Sequence, residues 1–202
     1  SRRGLHLRVL TSVPANAEDE EGDAEISVLG TFNAGNLLAV LALLLARGLT
    51  LRPALHTLSR MQSVPGCLEC FGGEDAPLVA VDDAHTPGTL QQAIANLRRH
   101  GSGRLITVFG CGRGHDRYSR GLMGAAAESG SDVVIITDDN HRDEDGTAIA
   151  GEILAGMTHP DRARVEHSRG LAIRIALTLA GTADSVLIAG KGHDSIQDLG
   201  EI

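Results

Sequence analysis

LITVFGCGRGHDRYSRGLMGAAAESGSDVVIITDDNHR, residues 105–142, carries the reading that decides the fold. It opens with five apolar or β-branched residues, Leu105–Phe109, and breaks at Gly110-Cys111-Gly112. A stretch with helical composition follows, Gly121–Ser129, and then a second apolar run, Val133–Thr137. Short apolar runs without alternation suit strands buried on both faces, and a helix between two of them makes a βαβ unit. The same grammar extends outward. Leu78–Val81 and Ser185–Ala189 are two more such runs, and Thr89–His100, Thr147–Met157 and Gly170–Ala180 read as helices. The expected fold is α/β, with a doubly wound, mostly parallel sheet.

Ligands of such sheets sit beyond the carboxyl ends of the strands. The four strand ends read Asp82-Asp83-Ala84-His85, Gly110 to Arg117, Asp138 to Arg142, and Gly190-Lys191-Gly192-His193-Asp194. Loops are polar in any protein, so one such end carries little weight. Four ends rich in Gly, His, Asp, Arg and Lys, on strands that hold none of these, point to a site. Gly110, Gly112 and Gly114 alternate, but the dinucleotide fingerprint is incomplete. A triphosphate-cradling loop needs Gly-Lys-Ser/Thr, and the chain's only lysine stands in Gly190-Lys191-Gly192.

The first third reads differently. Residues 5–13 alternate apolar and polar, as do Glu25–Leu29, which predicts two half-buried strands forming a hairpin. The acidic run Glu18 to Asp23 between them reads as a solvated loop. Asn36–Arg47 predicts a helix stopped by Gly48, and Arg52–Met61 a second with Pro53 in its first turn. Val64-Pro65-Gly66 breaks the pattern and predicts a boundary between a domain at 1–64 and another at 65–202.

Composition narrows the functions. The net charge of −8, and an aromatic set of one Tyr, three Phe and no Trp, argue against a nucleic-acid surface. The longest apolar stretch, Leu37–Ala46, is about half of what a membrane span requires, so no membrane association is expected. The opening residues do not read as a signal peptide, and three cysteines cannot form a complete disulfide framework; both suit the cytoplasm.

Taken together, Phe32-Asn33-x-x-Asn36-Leu37-Leu38-Ala39, Val64-Pro65-Gly66-Cys67-Leu68-Glu69, Asp82 to Pro87, Asp139-Asn140-His141-Arg142 and Gly190 to Asp194 resemble the Mur ligase family. The resemblance runs from about Leu29 to Gly200 and lies nearest the diaminopimelate-adding members. It implies a C-terminal Rossmann-like domain preceded by the tail of a central ATPase domain. The UDP-substrate domain and most of the central domain would lie outside these residues. It implies ATP and Mg²⁺ as cofactors, and UDP-MurNAc-dipeptide and diaminopimelate as substrates. The reaction implied is phosphorylation of the dipeptide's γ-carboxyl, which the amine of diaminopimelate then attacks to release phosphate.

Carried over residue by residue, Asn36, Asp82 and His85 would face ATP. Arg120, Asp139, Asn140, His141, Arg142, Gly190 and Asp194 would hold diaminopimelate. The chemistry fits: diaminopimelate is lysine with an extra distal carboxylate, and arginine supplies fixed bidentate donors for it. Arg120 and Arg142 are expected to clamp that carboxylate, with Asp139, Asn140 and Asp194 accepting from the distal ammonium. No catalytic or metal-holding residue is assigned.

The chain departs from the family at Cys67, where an arginine is usual, at His141 in place of proline, and at Asp194 in place of glutamate. The last change withdraws the carboxylate by about 1.5 Å. Two other family-level outcomes stay open: a catalytically inactive binding module and a lysine-adding variant. Outside the family, Cys67-x-x-Cys70 raises a zinc or redox site, although strand residues three apart face opposite ways.

Overall fold

The structure, a computed structural model, describes residues 4–11, 20–73, 75–112, 114 and 116–198. Expectations that touch Ser12, Val13, Glu18, Asp19, Arg113, His115 and Gly200 lie outside these residues. The chain divides into two compact units, Ser1–Ser63 and Val64–Ile202.

In the first unit β1 (Leu5–Thr11) and β2 (Glu20–Ile26) pair antiparallel, with Leu5 opposite Ile26 and Thr11 opposite Glu20. The hairpin is as expected, but its second strand is not. It runs through the acidic residues 20–23, which were expected in a loop, and ends at Ile26 rather than Leu29. The reason is a period of two. Gly22, Ala24 and Ile26 turn inward, while Glu21, Asp23 and Glu25 stay exposed. Gly22 lies so close to α2 that a Cβ there would come within 2.5 Å of Leu55. Across the strands Arg8 pairs with Glu21 and His6 with Asp23, so charges that suggested a loop decorate a sheet face. Helix α1 (Phe32–Ala46) and α2 (Leu51–Ser59) pack on the hairpin through Leu37, Leu41, Ala54, Leu55 and Leu58.

The second unit holds a six-stranded sheet ordered β3-β4-β8-β5-β6-β7. Its strands are β3 (Glu69–Gly72), β4 (Leu78–Asp82), β5 (Leu105–Phe109), β6 (Val133–Ile136), β7 (Arg164–Val165) and β8 (Ser185–Ala189). Only the edge strand β3 is antiparallel. Helices α3 (Pro87–His100), α4 (Arg117–Gly130), α5 (Gly146–Leu154) and α6 (Arg169–Leu179) connect the strands. This is the α/β, mostly parallel, doubly wound fold expected. The edge strand β7, with the 3-10 turn Pro160–Arg162 before it, was not foreseen; two residues cannot show a period.

Local chemistry marks the element ends. Thr86 and Thr89 form a capping box at the start of α3, with Pro87 in its first turn. Asp116 caps α4 by accepting from the Ser119 amide at 2.8 Å. The core is aliphatic: Ile106, Val108, Ile135, Val186 and the small faces Ala172 and Ala176 of α6 are fully buried. Most consequential is the place of β8. This strand inserts between β4 and β5, so the residues after Ala189 emerge in the middle of the sheet.

Candidate functional site

The segment after β8 folds over the loop after β6. Gly190, at φ +109°, turns the chain, and the amides of Gly190 and Gly192 donate to the Asp82 carbonyl at 3.0 and 3.2 Å. A side chain at Gly190 would be strained, because L-residues rarely adopt this φ and the Cβ would lie a tight 3.0 Å from Asp139 Oδ2. The crossing is then stitched by polar bonds. The Asp198 amide donates to Asn140 Oδ1 at 2.8 Å, and the Arg142 amide donates to the Asp198 carbonyl at 3.3 Å. Gln197 Nε2 donates to the Asp138 carbonyl at 3.3 Å.

Lys191 stands at the centre of this arrangement. Its ammonium donates to Asn140 Oδ1 at 3.0 Å and to the Ile196 carbonyl. Asp139 Oδ1 lies 3.6 Å away and Asp194 Oδ2 3.5 Å away. Asn140 Nδ2 in turn donates to Asp194 Oδ2 at 3.4 Å. The Ile196 amide at 3.0 Å, with Lys191 beside it, holds the Asp194 carboxyl below the usual range. Beneath lies Arg169, only 7% exposed, donating from Nη2 to the Ala189 carbonyl at 2.7 Å. Burial pulls its guanidinium pKa down, and the neighbouring Asp139 charge opposes that. Asp139, Asn140, Gly190 and Asp194 are thus brought together.

Arg142 and Arg120 are not the matched pair expected. Arg142 is exposed, at φ +55°, with Nε 3.2 Å from Asp198 Oδ2. Arg120 is 4% exposed and its two terminal nitrogens are occupied, while Nε is buried without a hydrogen-bond partner. Nη1 donates to Glu152 at 2.7 Å, and Nη2 donates to Glu144 at 2.8 Å and to the Gly112 carbonyl at 3.4 Å. Removing such a buried cation from two carboxylates is strongly unfavourable. Arg120 therefore ties α4 to α5 and to the loop that carries Arg142, and does not present a free clamp.

His141 turns toward Asp138, with Nε2 3.7 Å from Oδ2, while His167 Nδ1 lies 2.8 Å from the other oxygen. The His141 amide donates to the Asp139 carbonyl at 2.8 Å, a bond that the family's proline cannot make. The φ freedom gained by losing the ring is offset there.

Asp82 is also differently employed than expected. Its carboxylate is 8% exposed and accepts from the Leu68 amide at 2.9 Å and the Ala84 amide at 3.0 Å. Burial raises its pKa, the two amides oppose this, and Asp83 adds to it. Leu68 is held at φ +45°, a conformation L-residues adopt rarely, so Asp82 braces a strained turn directly after Cys67. His85 is exposed, with Nδ1 2.6 Å from the Asp83 carbonyl. Asn36, in the first unit, is exposed near the start of α1 and donates to Asn33 Oδ1 at 3.2 Å.

The cysteines form no centre. Burial pushes the Cys70 and Cys111 thiols up to about 12, far from the reactive thiolate range. Cys70 Sγ donates to the Leu68 carbonyl at 3.1 Å, and Cys111 Sγ lies 3.4 Å from Met123 Sδ. Among the described residues no three His, Cys, Asp or Glu side chains are placed to hold a metal ion. Among them, too, no helix is long and apolar enough to cross a membrane.

Sequence reasoning missed Lys191, Arg169, Glu144 and Asp198. For Lys191 a signal existed, as the sole lysine at a strand end. Arg169 opens an ordinary helix and gave none.

The sheet is mostly parallel and its polar cluster stands at the carboxyl ends of β6 and β8, where α/β domains generally place their ligands. Residues 66–192 match the Mur ligase, glutamate ligase domain. The chain belongs to the Mur ligase family. It is similar to two proteins named UDP-N-acetylmuramoyl-L-alanyl-D-glutamate–2,6-diaminopimelate ligase. That of Xanthomonas oryzae pv. oryzae is 45% identical over 185 residues, covering 91% of this chain and 37% of its own. That of Xanthomonas campestris pv. campestris is 47% identical over 173 residues, covering 85% and 35%. A solved structure bearing the same ligase name aligns with a TM-score of 0.72 at 36% identity, over 90% of this chain and 37% of that one. The chain thus spans little more than a third of the length of the relatives it matches.

Proposed function

We propose that this chain is the amino-acid-binding part of an ATP-dependent cytoplasmic ligase that joins meso-diaminopimelate to UDP-MurNAc-L-Ala-D-Glu. One observation carries the reading: the segment 190–198 lies across the loop 138–142, gathering Asp139, Asn140 and Asp194 beside the exposed guanidinium of Arg142. A distal ammonium suits the Asp139 and Asp194 carboxylates, which Asn140 helps to hold in place. A distal carboxylate suits Arg142, which exchanges its Asp198 partner for the ligand. Arg120 positions this loop through Glu144 and takes no part in the contact.

ATP and Mg²⁺ belong to the reading, and the donor set limits what this chain does for them. Asp82 is already engaged by two amides in a buried turn, so it suits bracing the turn and not holding a metal ion. Asn36 and His85 keep exposed polar edges suited to nucleotide contacts, each in its own unit. Catalysis in such a ligase rests on holding the amine in line with the activated carboxyl, and this chain's residues serve that orientation.

A charge-assisted Arg–carboxylate pair contributes roughly 1.5–3 kcal/mol. Arg142→Ala should therefore weaken diaminopimelate binding at least about tenfold, since roughly 1.4 kcal/mol is a decade. Lysine should bind weakly to the unsubstituted chain and hardly respond. Calorimetry with both amino acids tests this, and equal affinities for the two would overturn the assigned specificity. In the longer polypeptide that contains residues 1–202, ATP-dependent incorporation of labelled diaminopimelate tests the whole reaction.

A further inference from the structure

We propose that Lys191 is a positioning residue of the amino-acid site, its ammonium acting as the internal counter-ion around which the segment 190–198 and the loop 138–142 assemble. Its role toward an amino acid rests on the function proposed above; its role in assembling the two segments does not.

Asp138, Asp139, Asp194 and Asp198 all lie where the two segments cross. Four carboxylates drawn together repel one another unless cations intervene. The cations present are few. Arg120 is taken by Glu144 and Glu152, and Arg142 reaches only Asp198, at the exposed edge. Arg169 lies below, bonded to the Ala189 carbonyl, with Nη1 buried and without a hydrogen-bond partner. Among the described residues, Lys191 is the one ammonium or guanidinium paired with carboxylates of both segments, touching Asp139 and Asn140 on one side and Asp194 and Ile196 on the other.

The geometry of these contacts fits an ammonium and not a guanidinium. Four oxygens, two of them carboxylate, lie within 3.6 Å of one nitrogen whose side chain is 12% exposed. A point charge with three rotatable donors satisfies such a cage, whereas a planar fork does not. The same contacts orient the residues assigned to the ligand. Asn140 gives its oxygen to Lys191 and to the Asp198 amide, which leaves its Nδ2 directed to Asp194. Without the ammonium, that carboxamide keeps only the Asp198 amide to fix it against Asp194, and the acceptors for a ligand lose their spacing.

The test uses the full 202-residue chain and reads two things. Amide hydrogen exchange by NMR follows Arg142, Ile196 and Asp198, whose amides bond across or within the crossing. Lys191→Ala should speed their exchange at least tenfold, with the β5 and β8 amides of Val108 and Leu187 unchanged. Ethylammonium chloride should restore protection in Lys191→Ala by occupying the vacated cage. It should not restore it in Lys191→Met, whose side chain fills the space without charge. Sodium chloride at equal concentration serves as the control. Unchanged protection in Lys191→Ala, or recovery as complete with sodium as with ethylammonium, overturns the proposal whatever the ligand. Calorimetry with diaminopimelate is the second reading: affinity should fall at least tenfold in Lys191→Ala and recover with ethylammonium. If the unsubstituted chain binds no diaminopimelate while the exchange results hold, the amino-acid function fails and the assembling role of Lys191 stands.

Discussion

Asp82 and Asp184 are two aspartates buried to nearly the same degree, 8% and 7% exposed, yet their acidities move in opposite directions. Each accepts two backbone amides, so hydrogen bonding alone does not separate them. Burial is the largest influence on Asp82 and raises it, whereas at Asp184 the amides and a cation outweigh burial, and charge adds to the contrast. Asp184 also receives the Arg104 guanidinium at 2.8 Å, whereas Asp82 has Asp83 as its neighbour. The Gly181 amide first, and then Arg104, lower the Asp184 carboxyl to about 2, against an ordinary value of 3.8. A carboxyl whose folded pKa lies below its unfolded one stabilises the fold fully above the unfolded value. That contribution is lost as pH falls from about 4 toward 2. Asp184→Asn should therefore lower the melting temperature at pH 7 and flatten its fall between pH 5 and 2. A variant with an unchanged acid profile would show that another group governs acid unfolding. At the same scale, Arg120→Met should free the loop through Glu144. Truncating one partner of a buried ion pair is typically worth 3–5 kcal/mol, so this variant should also melt earlier.

At the scale of elements, α4 and α5 approach so closely that glycine is required at their contact. A Cβ on Gly124 would lie 2.2 Å from the Ile153 carbonyl oxygen, and one on Gly156 would lie 1.9 Å from that of Gly121. This approach sets the distance over which Arg120 and Arg117 reach Glu152. Gly124→Ala should cost about 1–3 kcal/mol by overpacking, a fall of several degrees in melting temperature. Gly151→Ala is the internal control. Its Cβ would meet nothing within 4 Å, and it lies inside α5, so alanine should stabilise by roughly 0.5–1 kcal/mol. Calorimetric melting of the two variants checks both signs. Helix α1 illustrates the opposite case. It buries Leu37 and Leu41 but leaves Leu38 half exposed and Leu43 67% exposed, since its sequence is apolar around most of the cylinder.

At the scale of the whole molecule, two compact units stand on a chain that matches little more than a third of its relatives' length. Residues 1–202 contain no Gly-Lys-Ser/Thr, and a triphosphate-cradling loop depends on that lysine and hydroxyl. This polypeptide alone should release no phosphate from ATP above background. Release that depends on UDP-MurNAc-dipeptide, and is abolished by Asp82→Ala, would overturn that expectation.

The βαβ alternation was legible because buried strands read as unbroken apolar runs, and the four runs from Leu78 to Ala189 became β4, β5, β6 and β8 with ends shifted by one residue at most. The family was legible from short motifs at strand ends, which chemistry restricts to few residue types. The expectation of a loop at residues 20–23 went astray where charge competed with period: they look like a loop by composition but pair as a strand by alternation. What tertiary structure alone decided is who meets whom. The sequence holds Lys191 and Asn140 as far apart as any two loops, yet insertion of β8 between β4 and β5 brings them within 3.0 Å. It also holds Arg120 and Arg142 as two equal arginines. Only packing of α4 against α5 encloses Arg120 between two glutamates and leaves Arg142 at the surface. A residue's type is local information, whereas its availability depends on which partners the fold brings within reach of its donors.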